Sequence, residues 1–380
     1  MQRLQQWLIL PLLTTLCWLG LILGEGSLTT GAIAEAAPLT PGWVSPVVAY
    51  LPPGNAITDG KALLRYALPI ENKDIRKVQK ELEDLSQWLR SSRWGPISGD
   101  VKKVARTISR RREAILADVP ADRRDRATVL LDQLEAGIDP IYEAVDNRDK
   151  EGIWLARAEL LDTVGAIEEL MVEGFPFEVP AEYDSLPQLK GRATVVFETT
   201  KGAITAVVDG YSAPVTAGNF VDLVQRGFYD DMPFIRAEDN YVLQTGDPPG
   251  PDEGFIDPKT KQYRAIPLEI LVQGDDAPVY GATLEFLGRY LEDPVLPFSA
   301  FGTLGMARPE SDPDGGSSQF FFFLFEPELT PAGLNLLDGR YAVFGYVVDG
   351  KDVLDTLGQG DTIQSARVVA GLDNLVSPQG

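Results

Sequence analysis

The chemistry open to this chain is limited by the side chains that it lacks. Its 380 residues contain no histidine, and the single cysteine, Cys17, lies in an apolar N-terminal run. Without these residue types there is no Ser-His-Asp triad, cysteine nucleophile, His/Cys zinc site, c-type haem or disulfide framework. Any catalysis must therefore use carboxylates, arginine, lysine, tyrosine and the shape of a pocket.

Adjacent carboxylates are one chemical possibility. Asp252 precedes Glu253, and Asp275 precedes Asp276. Two neighbouring carboxyl groups can divide the acid and base roles of a hydrolase. Both pairs stand in Gly- and Pro-rich stretches, where such residues are usually solvated turns, so the pattern gives a hydrolase little support.

Arginines concentrate in one stretch of the chain. They are Arg106, Arg110, Arg111, Arg112, Arg123, Arg124 and Arg126. A solvated helix surface with carboxylates at i,i+4 accounts for such a run. Attraction of an acidic partner, including the acidic half of this same chain, is the alternative.

The formal charge of −22 is distributed unevenly. Residues 59–176 carry 20 Lys and Arg against 23 Asp and Glu, whereas residues 177–380 carry 13 against 31. An acidic surface repels phosphates, so the sequence predicts no nucleic-acid partner.

The N-terminus has the pattern of a cleaved export signal. Arg3 precedes an uncharged apolar run from Trp7 to Leu23, and small-residue A-x-A sites follow at 32–36. We interpret residues 1–34 as the signal peptide, with an uncleaved membrane anchor as the alternative, and residues 35–60 as a Pro/Gly-rich linker. The mature protein is therefore expected to work outside the cytoplasm.

Helical periodicity fills residues 61–175. Ile75, Val78, Leu82, Leu85 and Leu89 form a stripe of apolar residues, which Gly95-Pro96 is expected to end. Further helices are predicted up to Pro120, from Asp122 with a kink at Pro140, and from Lys150 to Val172. The short loops between them predict an antiparallel bundle.

Strand patterns begin after an interdomain link at 176–189. Residues 194–199 and 203–208 flank Lys201-Gly202 and predict a hairpin, and residues 320–325 and 341–348 are further apolar strands. Many strands with few helices predict a closed β-barrel with flanking helices over residues 190–376. The fold class is thus multidomain, a helical bundle followed by a barrel.

Four motifs occur in order within this predicted barrel. They are Ala213 to Phe220 (APVTAGNF), Phe234 to Asp247 (FIR and VLQTGD), Gly316 to Phe321 (GSSQFF) and Leu337 to Gly345 (LDGRYAVFG). This part of the chain resembles the cyclophilin-type peptidyl-prolyl cis-trans isomerases. With the helical segment around ALLRYALP at 62–69, the chain is similar to thylakoid-lumen cyclophilins that carry a PsbQ-like bundle.

The resemblance implies a site without metal or cofactor. Arg236 matches the catalytic arginine, which donates to the prolyl nitrogen as amide resonance is lost, and Gln244 matches the amide that orients it. The alternative for Arg236 is a surface ion pair with Glu238 or Asp239. The substrate pocket implied by the resemblance consists of Tyr241, Val242, Ala307, Gln319, Phe321, Leu336, Leu337 and Tyr341.

Several pocket positions depart from the family pattern. Tyr241, Val242, Leu336 and Tyr341 stand where Phe, Met, Trp and His are usual. Low activity on small peptides is expected. An enlarged segment at 248–300 is expected to form a lid or a partner surface.

The implied function is a weak or regulated prolyl isomerase that assists folding and assembly of exported or thylakoid membrane proteins. With the export signal, the resemblance implies a location in the thylakoid lumen or the periplasm. Its partners would be proline-containing clients, with photosystem II subunits suggested by the family. A non-catalytic assembly chaperone on the same scaffold is the alternative. We also hypothesise that the run Arg110 to Arg112 docks the bundle on the acidic barrel and restricts access to Arg236.

Overall fold

The computed structural model describes residues 57–238, 240–325 and 335–378. The predicted signal peptide and most of the predicted linker lie outside these ranges. Among the helices of the described ranges, none is long and apolar enough to cross a membrane.

The described chain begins with helices and continues with strands. The N-terminal helices are α1 (Gly60–Ala67), α2 (Lys73–Arg90), α3 (Trp94–Ala117), α4 (Arg124–Ala136), α5 (Ile138–Asp146) and α6 (Lys150–Met171). The strands are β1 (Gln188–Leu189), β2 (Arg192–Thr199), β3 (Gly202–Asp209), β4 (Met232–Pro233), β5 (Arg236–Glu238), β6 (Val242–Thr245), β7 (Glu269–Ile270), β8 (Val279–Tyr280), β9 (Thr303–Met306), β10 (Phe320–Phe323), β11 (Val343–Asp349), β12 (Thr362–Ala370) and β13 (Leu375–Val376). Two helices lie among them, α7 (Pro214–Gln225) and α8 (Lys351–Leu354).

Helices α2 to α6 pack around one apolar core, to which Val78, Leu85, Val104, Leu134 and Val164 belong. Side-chain caps fix two of the helix starts. The Asn72 side chain accepts from the backbone N–H groups of Asp74 and Ile75, and the Asp149 side chain accepts from that of Gly152.

Two helix breaks differ from the sequence prediction. Gly95-Pro96 does not end α2, which stops at Arg90; the pair lies in the first turn of α3, where proline removes no helical hydrogen bond. The expected kink at Pro140 is a complete break at Gly137, between α4 and α5. A Cβ at Gly137 would lie 2.5 Å from Leu160 Cδ2, so glycine at this position leaves room for the Leu160 side chain of α6 to pack against the break.

Two arginines of the run Arg110 to Arg112 form ion pairs within the bundle. Arg111 pairs with Asp74 of α2 at 3.0 Å, and Arg112 pairs with Asp132 of α4 at 2.5 Å. These contacts give no support to docking of the run on the barrel, so the hypothesis that it restricts access to Arg236 stays a prediction.

The two halves meet instead through α1. Its apolar side chains Leu63 and Leu64 are buried against barrel residues that include Phe323 and Tyr346. Its polar side chains face the bundle, where Arg65 pairs with Glu83 at 3.1 Å and Lys61 with Asp162 at 2.9 Å. The sequence groups α1 with the bundle, but its apolar surface packs on the barrel.

The main sheet has nine strands in the order β4-β12-β2-β3-β11-β9-β10-β6-β5. Its outer members, β4 and β5, follow each other along the chain. Between them, the Phe234 N–H donates to the Asp361 carbonyl beside β12, and the next residue, Ile235, donates to the Gln244 carbonyl on β6. The segment from Met232 to Glu238 thus closes the sheet into a barrel, as predicted.

Candidate functional site

The candidate site begins with a row of residues that the sheet places side by side. Arg236 on β5 pairs in register with Gln244 on β6, Gln244 with Phe321 on β10, and Phe321 with Gly305 on β9. Directly paired residues of neighbouring antiparallel strands project to the same face of a sheet. The register therefore brings Arg236, Gln244 and Phe321 together, although 85 positions separate the first from the last.

Strand alternation decides which side chains face this site. Phe320 and Phe322 point into the barrel core, while Phe321 and Phe323 belong to a separate apolar cluster on the other face. Val242 lies in that second cluster. The four consecutive phenylalanines thus alternate between the barrel core and the face that carries the candidate site.

The remaining apolar pocket residues adjoin the same cluster. Ala307, Leu337 and Tyr341 are partly buried against it. The Tyr341 ring meets Phe321 edge to face, with centroids 5.7 Å apart, and the Arg308 guanidinium lies 5.2 Å from the Tyr341 centroid. The tyrosine at the usual histidine position therefore closes one side of the site.

Two predicted pocket residues are more peripheral. Tyr241 is 37% exposed and meets the Phe323 ring edge to face, with centroids 6.0 Å apart. Leu336 is 82% exposed. Its side chain contributes little to a closed pocket.

Phe298 is a ring that the motifs do not indicate. It stacks on Phe321 with centroids 5.8 Å apart and an interplanar angle of 6°. A Cβ at position 305 would lie 2.6 Å from Phe321 Cζ and 2.8 Å from Phe298 Cζ, so Gly305 makes room for both rings. The enlarged 248–300 segment therefore reaches the face of the sheet that carries Arg236, Gln244 and Phe321.

A buried carboxylate fixes the backbone of Phe298. Its N–H donates to Asp338 Oδ1 at 2.7 Å, and its carbonyl accepts from the Asn335 side chain at 2.9 Å. Burial raises the pKa of Asp338 to about 6. Asp338 lies in the same turn as Leu337, so the motif and the inserted segment are held together.

Arg236 forms the ion pair that was the alternative to its catalytic role. Its Nε donates to Glu238 Oε1 at 2.7 Å, and the side chains are 51% and 47% exposed. Residues i and i+2 of a strand share a face, which explains the pairing. The guanidinium therefore lies at the open edge of the site, where solvent screens the pair.

The two glutamines form a short polar network beside Arg236. Gln244 Nε2 donates to Gln319 Oε1 at 2.7 Å, and Gln319 Nε2 donates to Asp247 Oδ1 at 3.2 Å and to the Glu253 carbonyl at 2.9 Å. Desolvation, followed by nearby Glu253, raises the pKa of Asp247. The network fixes which way both amides point, so Gln244 offers a defined polar group to a substrate.

The carboxylate pairs do not form an acid/base site. Asp275 is bound by the Arg289 guanidinium through contacts of 2.7 and 2.9 Å, while its neighbour Asp276 is exposed. Asp252 and Glu253 are both exposed. This geometry gives the hydrolase hypothesis no support.

Two family models match the chain. Residues 59–172 match the PsbQ-like domain of CYP38-like peptidyl-prolyl cis-trans isomerases, and residues 194–375 match the cyclophilin type peptidyl-prolyl cis-trans isomerase family. Together they span both halves of the described structure.

Whole-length relatives agree with these matches. The chain is 56% identical over 342 residues to "Putative thylakoid lumen peptidyl-prolyl cis-trans isomerase sll0408" of Synechocystis, covering 89% of this chain and 90% of that protein. It is 48% identical to the chloroplastic isomerase CYP38 of Arabidopsis thaliana, covering 88% and 79% of the two chains. Identity to chloroplastic CYP37 of the same plant is 32%, over 88% and 75%.

Proposed function

The chain belongs to the cyclophilin-type peptidyl-prolyl cis-trans isomerases, and we propose that it isomerises X-Pro bonds in exported proteins of the photosynthetic membrane, photosystem II subunits among them. The observation that carries the catalytic part is the row Arg236, Gln244 and Phe321 on three adjacent strands. The location is supported by the relatives, of which the Synechocystis protein is named as a thylakoid lumen isomerase and the two Arabidopsis proteins as chloroplastic.

The proposed mechanism needs no covalent intermediate. An X-Pro bond rotates slowly because amide resonance keeps it planar, with a barrier of roughly 20 kcal/mol. As the bond twists, the prolyl nitrogen regains a lone pair that Arg236 can bind. This interaction is absent from the planar ground state, so it lowers the barrier selectively.

The test of catalysis is isomerisation of a short proline peptide by the full chain and by Arg236→Ala. Loss of a preorganised donor should lower kcat/KM about a hundredfold. Arg367→Ala is the matched control, because Arg367 is also an exposed arginine paired with a carboxylate, Asp230. Equal activity of Arg236→Ala and the wild type would overturn the catalytic assignment.

A non-catalytic chaperone is the second candidate, supported by the Arg236–Glu238 ion pair and by Phe298 stacked on Phe321. Both interactions compete with a substrate for the proposed machinery. Suppression of client aggregation that survives Arg236→Ala, without peptide isomerisation by the wild type, would select this function.

The photosystem II role has a separate test. In a cyanobacterium that lacks its own relative of this protein, the chain should restore photosystem II assembly, measured as light-driven oxygen evolution. Failure to restore it, with peptide isomerisation intact, would remove the photosystem II role and leave the enzyme.

A further inference from the structure

A short turn in the inserted segment exposes an unusual number of large apolar side chains. Phe286, Leu287, Tyr290 and Leu291 are 83%, 45%, 63% and 71% exposed, although they lie within six consecutive residues. We call these four residues the 286–291 patch. Single exposed apolar residues are ordinary, but a group of this kind is typical of an interaction surface.

The turn that carries the patch is ordered by its own hydrogen bonds. The Leu287 N–H donates to the Thr283 carbonyl at 3.2 Å, and the Arg289 N–H donates to the Leu284 carbonyl at 2.8 Å. Arg289 is further held by Asp275 at 2.7 Å. The apolar side chains therefore project from a defined support.

The same turn is joined to the loop that carries the substrate pocket. Leu284 is buried and its N–H donates to the Gly339 carbonyl at 2.9 Å, while Glu285 pairs with Arg340 at 2.7 Å. Gly339 and Arg340 lie between the pocket residues Leu337 and Tyr341. Leu336, which is 82% exposed, belongs to the same loop.

The charges around the patch limit what can bind there. Residues 275–293 contain five carboxylates and one arginine, Arg289, which pairs with Asp275 and Glu292, while Arg340 pairs with Glu285. Five negative and two positive charges leave a net charge of −3 around the patch. Such a rim repels anionic lipid headgroups and acidic peptides. It favours an apolar segment with basic neighbours.

We propose that the 286–291 patch is a second client site, which binds an aliphatic or aromatic segment of a non-native polypeptide whose X-Pro bond lies at Arg236. This inference rests on the proposed isomerase function. Binding at the patch makes capture of the proline intramolecular and raises its effective concentration. The patch should therefore favour long clients over short proline peptides.

The experiment compares two substrates on the full chain and on the double variant Phe286→Ser/Leu291→Ser. One substrate is a proline tetrapeptide, and the other is a longer peptide with one X-Pro bond and a Leu/Phe segment flanked by lysines. The double variant should raise KM for the long peptide about tenfold and leave kcat and all tetrapeptide constants unchanged. Leu155→Ser is the control, since Leu155 of α6 is 63% exposed on the bundle.

The outcomes separate this inference from the proposed function. An unchanged KM for the long peptide in the double variant would overturn the proposal that the 286–291 patch binds clients. Absence of tetrapeptide isomerisation by the wild type would overturn the proposed isomerase function. Client binding at the patch would then be tested by fluorescence anisotropy of the labelled long peptide. Patch-dependent dimerisation in sedimentation, or patch-dependent binding to neutral lipid vesicles without peptide binding, would also overturn the client site.

Discussion

Arg236 can act as a catalytic donor or form a surface ion pair with Glu238. Its guanidinium stands next to Gln244 in the sheet register, yet it is bound to Glu238 by Nε and Nη2. Because both side chains are about half exposed, the pair contributes little free energy and can open. The Glu238 carboxylate therefore binds the Arg236 guanidinium too weakly to prevent it from binding a prolyl nitrogen.

The first prediction follows from that weak pair. Glu238→Gln should raise kcat/KM for a proline peptide by up to about fivefold, the factor that corresponds to release of an exposed ion pair. The measurement is peptide isomerisation at low ionic strength. Glu310→Gln, which removes another exposed carboxylate of the same half, is the control. Activity at or below that of the wild type would show that Glu238 does not restrain Arg236.

At the scale of single residues, the sequence motifs identify site positions but not the residues that pack against them. The strings FIR, VLQTGD, GSSQFF and LDGRYAVFG contain most of the predicted site residues, whereas Tyr241, Ala307 and Leu336 lie outside them and were placed by the resemblance. The ion pair with Glu238 follows from strand alternation. Phe298 was missed, because it belongs to an insertion outside the four motifs and packing alone places it on Phe321. The residue that fills a pocket is determined by tertiary packing, and a local sequence pattern does not predict it.

Helix α1 is the element that joins the two halves. Gly60 allows its start to approach β11, since a Cβ there would lie 2.7 Å from Tyr346 Cβ. Arg192 of β2 donates to the Leu64 carbonyl at the other end of the helix and pairs with Asp209 at 3.0 Å. An eight-residue helix is unstable alone, so these contacts account for its formation.

The second prediction tests that dependence. Leu63 is fully buried in the cluster that contains Phe298 and Phe321. Leu63→Ala should lower the free energy of unfolding by about 2–5 kcal/mol, the usual cost of a cavity at a buried leucine. Urea denaturation followed by far-UV circular dichroism, which reports on the strands of the barrel as well as on the helices, measures it, with exposed Leu155→Ala as the control. A midpoint equal to that of the control would mean that α1 is not required.

Element types followed from the sequence more readily than their contacts. The apolar stripe Ile75 to Leu89 correctly predicted α2, and the hairpin at 194–208 corresponds to β2 and β3. Two failures concern contacts with residues remote in sequence: Leu160 packs against the break at Gly137, and α1 packs on the barrel beside Tyr346. Helical periodicity shows that one face of a helix is apolar, but it does not show which element that face packs against.

Across the whole molecule, buried carboxylates link stability to pH. Burial raises the pKa of Glu269 to about 7, although it accepts backbone hydrogen bonds from Val215 and Thr216 at the start of α7. Burial also raises the pKa of Glu168 in α6 to about 7, outweighing the guanidinium of Arg76 at 3.3 Å. Such groups occur in both halves, so the pKa shifts of Glu168 and Glu269 change the stability of the two halves in the same direction.

The last prediction concerns Glu269. Its folded-state pKa is above the ordinary value of 4.5, so the folded chain holds the proton more tightly than the unfolded chain. The resulting stability is complete below about pH 4.5 and is lost as pH rises through about 7. Relative to Glu269→Gln, which cannot ionise, the wild type should therefore lose up to about 3 kcal/mol over this window.

Urea denaturation of wild type and Glu269→Gln across this pH range measures the difference directly, because the titration of all other groups cancels between the two. Any constant cost of the amide at the start of α7 shifts the variant curve without changing its slope. Glu310→Gln serves as the control for loss of one exposed carboxylate. Parallel curves for wild type and Glu269→Gln would mean that Glu269 remains ionised in the folded chain, held by the N–H groups of Val215 and Thr216.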